Sequence, residues 1–247
     1  MTQASDITQK RGVDRLGTWL AERRGVVYDY LSAISGAGGR LVFSLIYFIA
    51  LANTLSIAEF GMFATASAAG VMLSRVLAFG FISALYRTAT KRPNLIGTFT
   101  AGFIVLSLLS LPVLAAASYG VYLLFFAASM ALPLFAAVVF AEALLWRPVE
   151  VAMIVNNGLG KFGRAALLSI LTSVLRALGA VLFMFSAQHS LATWSWYYIG
   201  ANAASLLLAF GVFYPRQRLR LRLEVYWRRL ADSVYVACAE VLFYLQM

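Results

Sequence analysis

Few residues in this chain can do chemistry, and most of them stand where charge is costly. Arg75, Arg147 and Arg176 each interrupt a long apolar run, and Glu142 and Glu150 share the run that holds Arg147. An arginine at the centre of a membrane span costs about 2.5–3.5 kcal/mol on insertion scales, so three cost roughly 8–10 kcal/mol unless paired or hydrated. The charges admit two readings. In one they only lock helices together through interhelical pairs. In the other the three arginines line a hydrated cavity that receives an anionic substrate, since guanidinium forks match the oxygens of phosphates and acidic sugars. Arg147 and Glu150 stand three apart on a helix and can pair directly, which makes Glu142 and Glu150 the candidates for ion pairing or coupling. Pro148 removes an amide beside them and pushes on the carbonyl of Leu144. That is a structural hinge, and it exposes acceptors tolerated in lipid only where protein or a cavity faces them. Asn202 in the sixth apolar run suits an interhelical hydrogen bond.

Other chemistries lack their parts. There is one histidine, His189, and one cysteine, Cys238. Zinc sites, His-based triads and internal disulfides are therefore not expected, and neither are catalytic residues, a metal or a cofactor. The Gly158–Arg164 stretch, GLGKFGR, is rich in glycine but has neither Walker A spacing nor a preceding strand, so it reads as a turn.

The elements that must position these charges are apolar helices. The chain is 62% hydrophobic and 12% charged, with mean hydropathy +0.82. Its long runs are continuously apolar, not alternating, which disfavours a barrel. The expected fold is all-α, a polytopic helical membrane bundle of six transmembrane helices plus the start of a seventh. Residues 1–35 form a cytoplasmic segment without a signal peptide. Val13, Leu16, Trp19 and Leu20 fall at helical spacing beside Arg15, Arg23 and Arg24, as on an amphipathic surface helix; a solvated tail is the alternative. Spans are expected at Gly36–Leu55, Phe60–Tyr86, Leu95–Ala117, Ala131–Asn157, Ala165–Phe185 and Trp194–Tyr214. Ser56 and Glu59 open the second span as a capping box, and small residues from Gly61 to Gly70 let neighbouring backbones approach it. Pro112 would kink the third. Trp194, Trp196, Tyr197 and Tyr198 open the sixth at an interface level. Residues 215–230 form a basic cytoplasmic linker touching anionic headgroups, and 231–247 the start of a truncated seventh helix.

The formal charge of +10 has a distribution that points away from nucleic acid. Basic residues cluster at Lys10–Arg24, Arg87–Arg92, Lys161–Arg164 and Arg216–Arg229, separated by pairs of apolar runs, and the intervening connectors carry none. This is the positive-inside pattern, with the N-terminus cytoplasmic.

The segment from Leu51 to Arg87 resembles the first-to-second helix region of bacterial polysaccharide flippases. These are the O-antigen and exopolysaccharide translocases of the multidrug/oligosaccharidyl-lipid/polysaccharide exporter superfamily. The likeness is carried by the Ser-x-x-Glu-Phe-Gly turn, Ser56 to Gly61, and the Gly80-x-x-x-Ala-x-x-Arg run ending at Arg87. Asn156–Phe183, with Arg176, resembles that family's turn and fifth helix. Where many relatives carry an acidic residue just before the glycine matching Gly80, this chain has Ala78 and Phe79, which puts a coupling role there in doubt. The resemblance implies one lobe, an N-terminal half, of a two-lobed transporter. Such a transporter would sit in the bacterial cytoplasmic membrane and flip undecaprenyl-pyrophosphate-linked oligosaccharide by alternating access. Its partners would be the lipid-linked substrate, membrane lipids, and polysaccharide polymerase and export components. A multidrug or cation antiporter of the same superfamily and an inactive truncated membrane protein are the alternatives. A polymerase or ligase would want a large external loop with basic or His residues, which this chain lacks.

Overall fold

The computed structural model describes residues 24–246, and the side chains of residues 36–243. The amphipathic surface segment expected around Val13, Leu16, Trp19 and Leu20 lies outside the described residues. Among them the regular structure is all helical, with no strand. Nine α-helices follow in order: α1 Arg24–Thr54, α2 Ile57–Ser74, α3 Ile82–Lys91, α4 Ile96–Val121, α5 Leu132–Phe140, α6 Arg147–Gly158, α7 Phe162–Met184, α8 Leu191–Leu208 and α9 Leu223–Gln246. Among the described residues, five stretches are long and apolar enough to cross a membrane: Gly36–Thr54, Ile57–Ser74, Pro93–Phe126, Phe162–Met184 and Leu191–Phe213. Their outward faces carry large apolar side chains such as Leu41, Leu45, Leu108, Leu182 and Leu207, as lipid-facing surfaces do. The protein is a helical membrane bundle.

The turns form where local chemistry demands them. Ser56 and Glu59 make the expected capping box at the start of α2. Glu59 Oε1 also accepts from the backbone amide of Leu191 at 3.2 Å, so the α1–α2 and α7–α8 connections meet at one end of the bundle. At the opposite end the turn after α6 reverses through Gly160, whose φ of +70° is left-handed and costs glycine little. Close helix approach uses missing side chains: a Cβ on Gly36 would sit 2.6 Å from Ala166 Cβ, which lets α1 lie against α7.

The elements depart from the expected spans in four places. The span expected to run unbroken from Phe60 to Tyr86 is interrupted. The α2 helix stops at Ser74, and Leu77–Gly80 forms a 3₁₀ turn in which Ala78 (φ 54°), Phe79 (φ 49°) and Gly80 (φ 72°) are left-handed. A left-handed non-glycine residue costs roughly 1–2 kcal/mol. Here packing offsets that cost: Ala78 is fully buried, and its amide donates to Ser110 Oγ on α4 at 2.9 Å. The fourth span is also irregular. A π turn, Ala141–Trp146, separates α5 from α6, and the Arg147 amide reaches back five residues to the Glu142 carbonyl. A π turn absorbs the lost amide of Pro148 as a local bulge. The α4 helix runs through Pro112 and onward in a π turn to Phe126, past the expected end at Ala117. The final helix begins at Leu223 instead of Ala231, so Arg228 and Arg229 ride on it and the basic linker shortens to residues 215–222.

The aromatic residues at the start of α8 also depart from the interface-belt expectation. Trp196 faces outward, but Trp194 and Tyr198 are fully buried. They pack with Tyr47, Phe63 and Phe183 in a ring cluster with centroids 5.2–5.8 Å apart.

Candidate functional site: two buried ion networks

Arg75 follows the last residue of α2, where the broken helix turns its side chain inward. Arg147 opens α6 directly after the π turn. Glu150 follows one turn later. The fourth partner comes from α9. Arg147 Nη1 donates to Glu150 Oε2 at 2.6 Å, and Nη2 to Glu240 Oε2 at 3.4 Å. Arg75 Nη1 lies 3.7 Å from Glu150 Oε2 and 3.6 Å from Glu240 Oε2. Each arginine therefore faces both carboxylates, and the four charges sum to zero. Access is uneven: the Arg147 side chain is 2% exposed and that of Arg75 11%, against 26% for Glu150 and 42% for Glu240. The acids form the accessible side of the cluster and the arginines its floor. Arg147 Nε makes no hydrogen bond, so a buried donor remains for a further acceptor.

Arg176, on α7, is in a separate network. Its guanidinium stacks 3.8 Å above the Trp146 ring, donates twice to Asn202 Oδ1 at 3.1 and 2.7 Å, and lies 3.7 Å from Glu142 Oε2. Glu142 is almost wholly buried. Its Oε1 accepts from Ser67 Oγ at 2.7 Å and from the Tyr198 hydroxyl. Gly70 makes room for it on α2, where a Cβ would come within 3.1 Å of the glutamate side chain. Asn202 bonds across helices as its position in the sixth run suggests. Residues 142–150 carry a member of each network, and the π turn between Glu142 and Arg147 sends their side chains to different neighbours.

The sequence-predicted residues thus divide. Arg75, Arg147 and Glu150 meet directly, while Arg176 and Glu142 meet each other beside them. Pro148 lines the far side of α6, in an apolar cleft of about 640 Å³ with Leu77, Phe103, Leu144, Leu207 and Tyr214. None of the three arginines lines that cleft. Glu240, Tyr198, Trp146 and Ser67 are additional members. Glu240 carries the same signal as Glu142 and Glu150, an acid within an apolar run. No group of three or more His, Cys, Asp or Glu side chains able to hold a metal occurs among the described residues.

No family model, curated protein or solved structure matches this chain.

Proposed function

We propose that this protein is a membrane translocase for an anionic lipid-linked substrate, a flippase moving undecaprenyl-pyrophosphate-linked oligosaccharide units across the bacterial cytoplasmic membrane for surface polysaccharide synthesis. The observation that carries this reading is the Arg75–Arg147–Glu150–Glu240 quartet beside the break in the second span. Helix breaks and ionisable groups at membrane depth are costly, and they recur where a transporter binds and releases cargo. In the proposed cycle the carboxylates of Glu150 and Glu240 hold the place of the substrate's phosphates. A pyrophosphate would replace them on the same two guanidinium groups, with Arg147 Nε as an extra donor. Displacing Glu240 would free α9 from α2 and α6, which couples substrate binding to helix movement. The flippase-like Ser56–Gly61 turn and Gly80–Arg87 run agree with this substrate class.

A second reading, the cation or drug antiporter, draws on the accessibility of the two acids. They are the side of the quartet that a proton or cation meets first. One experiment separates the two. Arg147→Gln and Glu240→Gln variants of the full-length gene are expressed in a strain lacking its polysaccharide flippase, and surface polysaccharide is measured beside drug tolerance. The translocase reading expects restoration by the parent gene and loss with Arg147→Gln. Drug tolerance that falls only with Glu240→Gln, with no polysaccharide phenotype, would assign the antiporter.

A further inference from the structure

We infer a second anion site, separate from the ion quartet, in the cleft between the end of α3 and the start of α9. Its ligand is an anionic phosphate-bearing group at the level of the lipid headgroups. The cleft measures about 510 Å³, which suits a small organic anion better than a single bound ion. Arg87, Lys91 and Arg92 line one wall, and Arg222 and Arg229 the other; Asp232 is the one carboxylate in the lining. Arg229 and Asp232 lie 3.8 Å apart and are both more than half exposed, a pairing worth little in water. The hydroxyls of Ser83, Thr88 and Ser233 already donate to the backbone carbonyls of Gly80, Ala84 and Arg229. The guanidinium and ammonium groups are therefore the donors left to meet a ligand.

A sequence bias toward Lys and Arg on one side of a membrane requires no such convergence. Three features show that the cleft is held in shape. Gln217 bridges two backbone groups, accepting from the Gly97 amide at 2.9 Å and donating to the Pro93 carbonyl at 3.1 Å. The buried Tyr226 hydroxyl contacts the carbonyls of Thr98 and Arg220 at 2.8 and 3.0 Å and accepts from the Arg222 amide at 3.1 Å. Gly97 lets the Arg218 carbonyl approach so closely that a Cβ there would lie 2.3 Å away. Residues 217–222 are consequently docked on the start of α4, and Arg222 is presented from a fixed backbone. Fixed donors lose less conformational freedom when they bind a ligand. Arg216, Arg218 and Arg220 share the linker but do not line the cleft, which makes them controls of equal charge.

The site does not depend on translocation. A chain that binds here yet fails to restore polysaccharide keeps this site and loses the flippase reading. The test uses the detergent-solubilised full chain with three probes: cardiolipin, phosphatidylglycerol and inorganic pyrophosphate, read by native mass spectrometry and thermal shift. Phosphatidylethanolamine serves as the zwitterionic control. Binding of the lipids alone assigns a lipid phosphate as the ligand, and binding of pyrophosphate with competition against the lipids assigns the free diphosphate as well. In either case Arg87→Gln combined with Arg222→Gln should weaken binding by at least about tenfold, the effect of losing a charge-assisted hydrogen bond. Asp232→Asn should strengthen it, while Arg216→Gln combined with Arg218→Gln should leave it within about twofold, as for exposed charges outside a site. Equal losses in the cleft and control pairs, or no binding of any anionic probe, would overturn the proposal.

Discussion

Arg147 is among the largest side chains this protein buries completely, and its two carboxylate partners decide what that burial costs. Removing one member of a buried ion network leaves an uncompensated charge, typically a loss of 3–5 kcal/mol, whereas replacing both members with apolar residues is often neutral. Arg147→Met should therefore destabilise the detergent-solubilised protein by about 3–5 kcal/mol, and adding Glu150→Met should recover most of that loss. Chemical unfolding of the two variants checks it; a single variant within about 1 kcal/mol of the parent would mean that water already screens the site. Arg75, Arg147, Glu142 and Glu150 were legible as charges inside apolar runs, and the direct Arg147–Glu150 pair followed from their spacing. The split into two networks was not, because the π turn that separates Glu142 from Arg147 leaves no mark in composition. Glu240 was visible as a residue but had no assignable partner, since a contact between α9 and α6 is made only in three dimensions. Tyr198 was misread for a related reason: an aromatic residue near a helix start fits an interface belt, and only its neighbours reveal a hydrogen bond to Glu142.

Among the elements, the broken second span determines most of the geometry around the quartet. Its capping box could be read from Ser56 and Glu59, and its length from the apolar run. The break could not, because Ala78 and Phe79 are ordinary helix residues and no proline stands there. Tertiary contacts impose their left-handed backbone: Ser110 captures the Ala78 amide, Phe81 stacks on Phe99 at 5.6 Å, and Gly80 receives α9. A Cβ on Gly80 would lie 2.4 Å from the Ser233 carbonyl, at a φ of +72°. Gly80→Ala should therefore push α9 off the bundle. Hydrogen exchange should rise in Leu223–Gln246 and hardly change in α7 and α8, which do not touch this contact. Unchanged exchange in α9 would show that the backbone relaxes around the methyl group at little cost.

For the whole molecule, the alternation of basic and uncharged ends read from the sequence has a structural counterpart. Lys91, Lys161 and the linker arginines sit with the α3–α4, α6–α7 and α8–α9 connections. The opposite end carries Ser56, His189 and Ser190. We propose, from the positive-inside rule, that the basic end faces the cytoplasm. After Cys238→Ser, a cysteine introduced at Gly160 should resist a membrane-impermeant maleimide added to intact cells, and one at His189 should react. The reverse pattern would invert the topology.

The quartet also bears on how the protein is made. Arg75, Arg147 and Glu150 leave the ribosome before Glu240, and until α9 enters the membrane those three carry a net positive charge among apolar helices. Insertion scales make such a charge costly to hold in lipid. The earlier helices therefore gain by remaining near the insertion machinery, or in contact with water, until the last acidic partner arrives. A single glutamate on α9 thus completes the neutrality of a cluster whose other three members are all made before it.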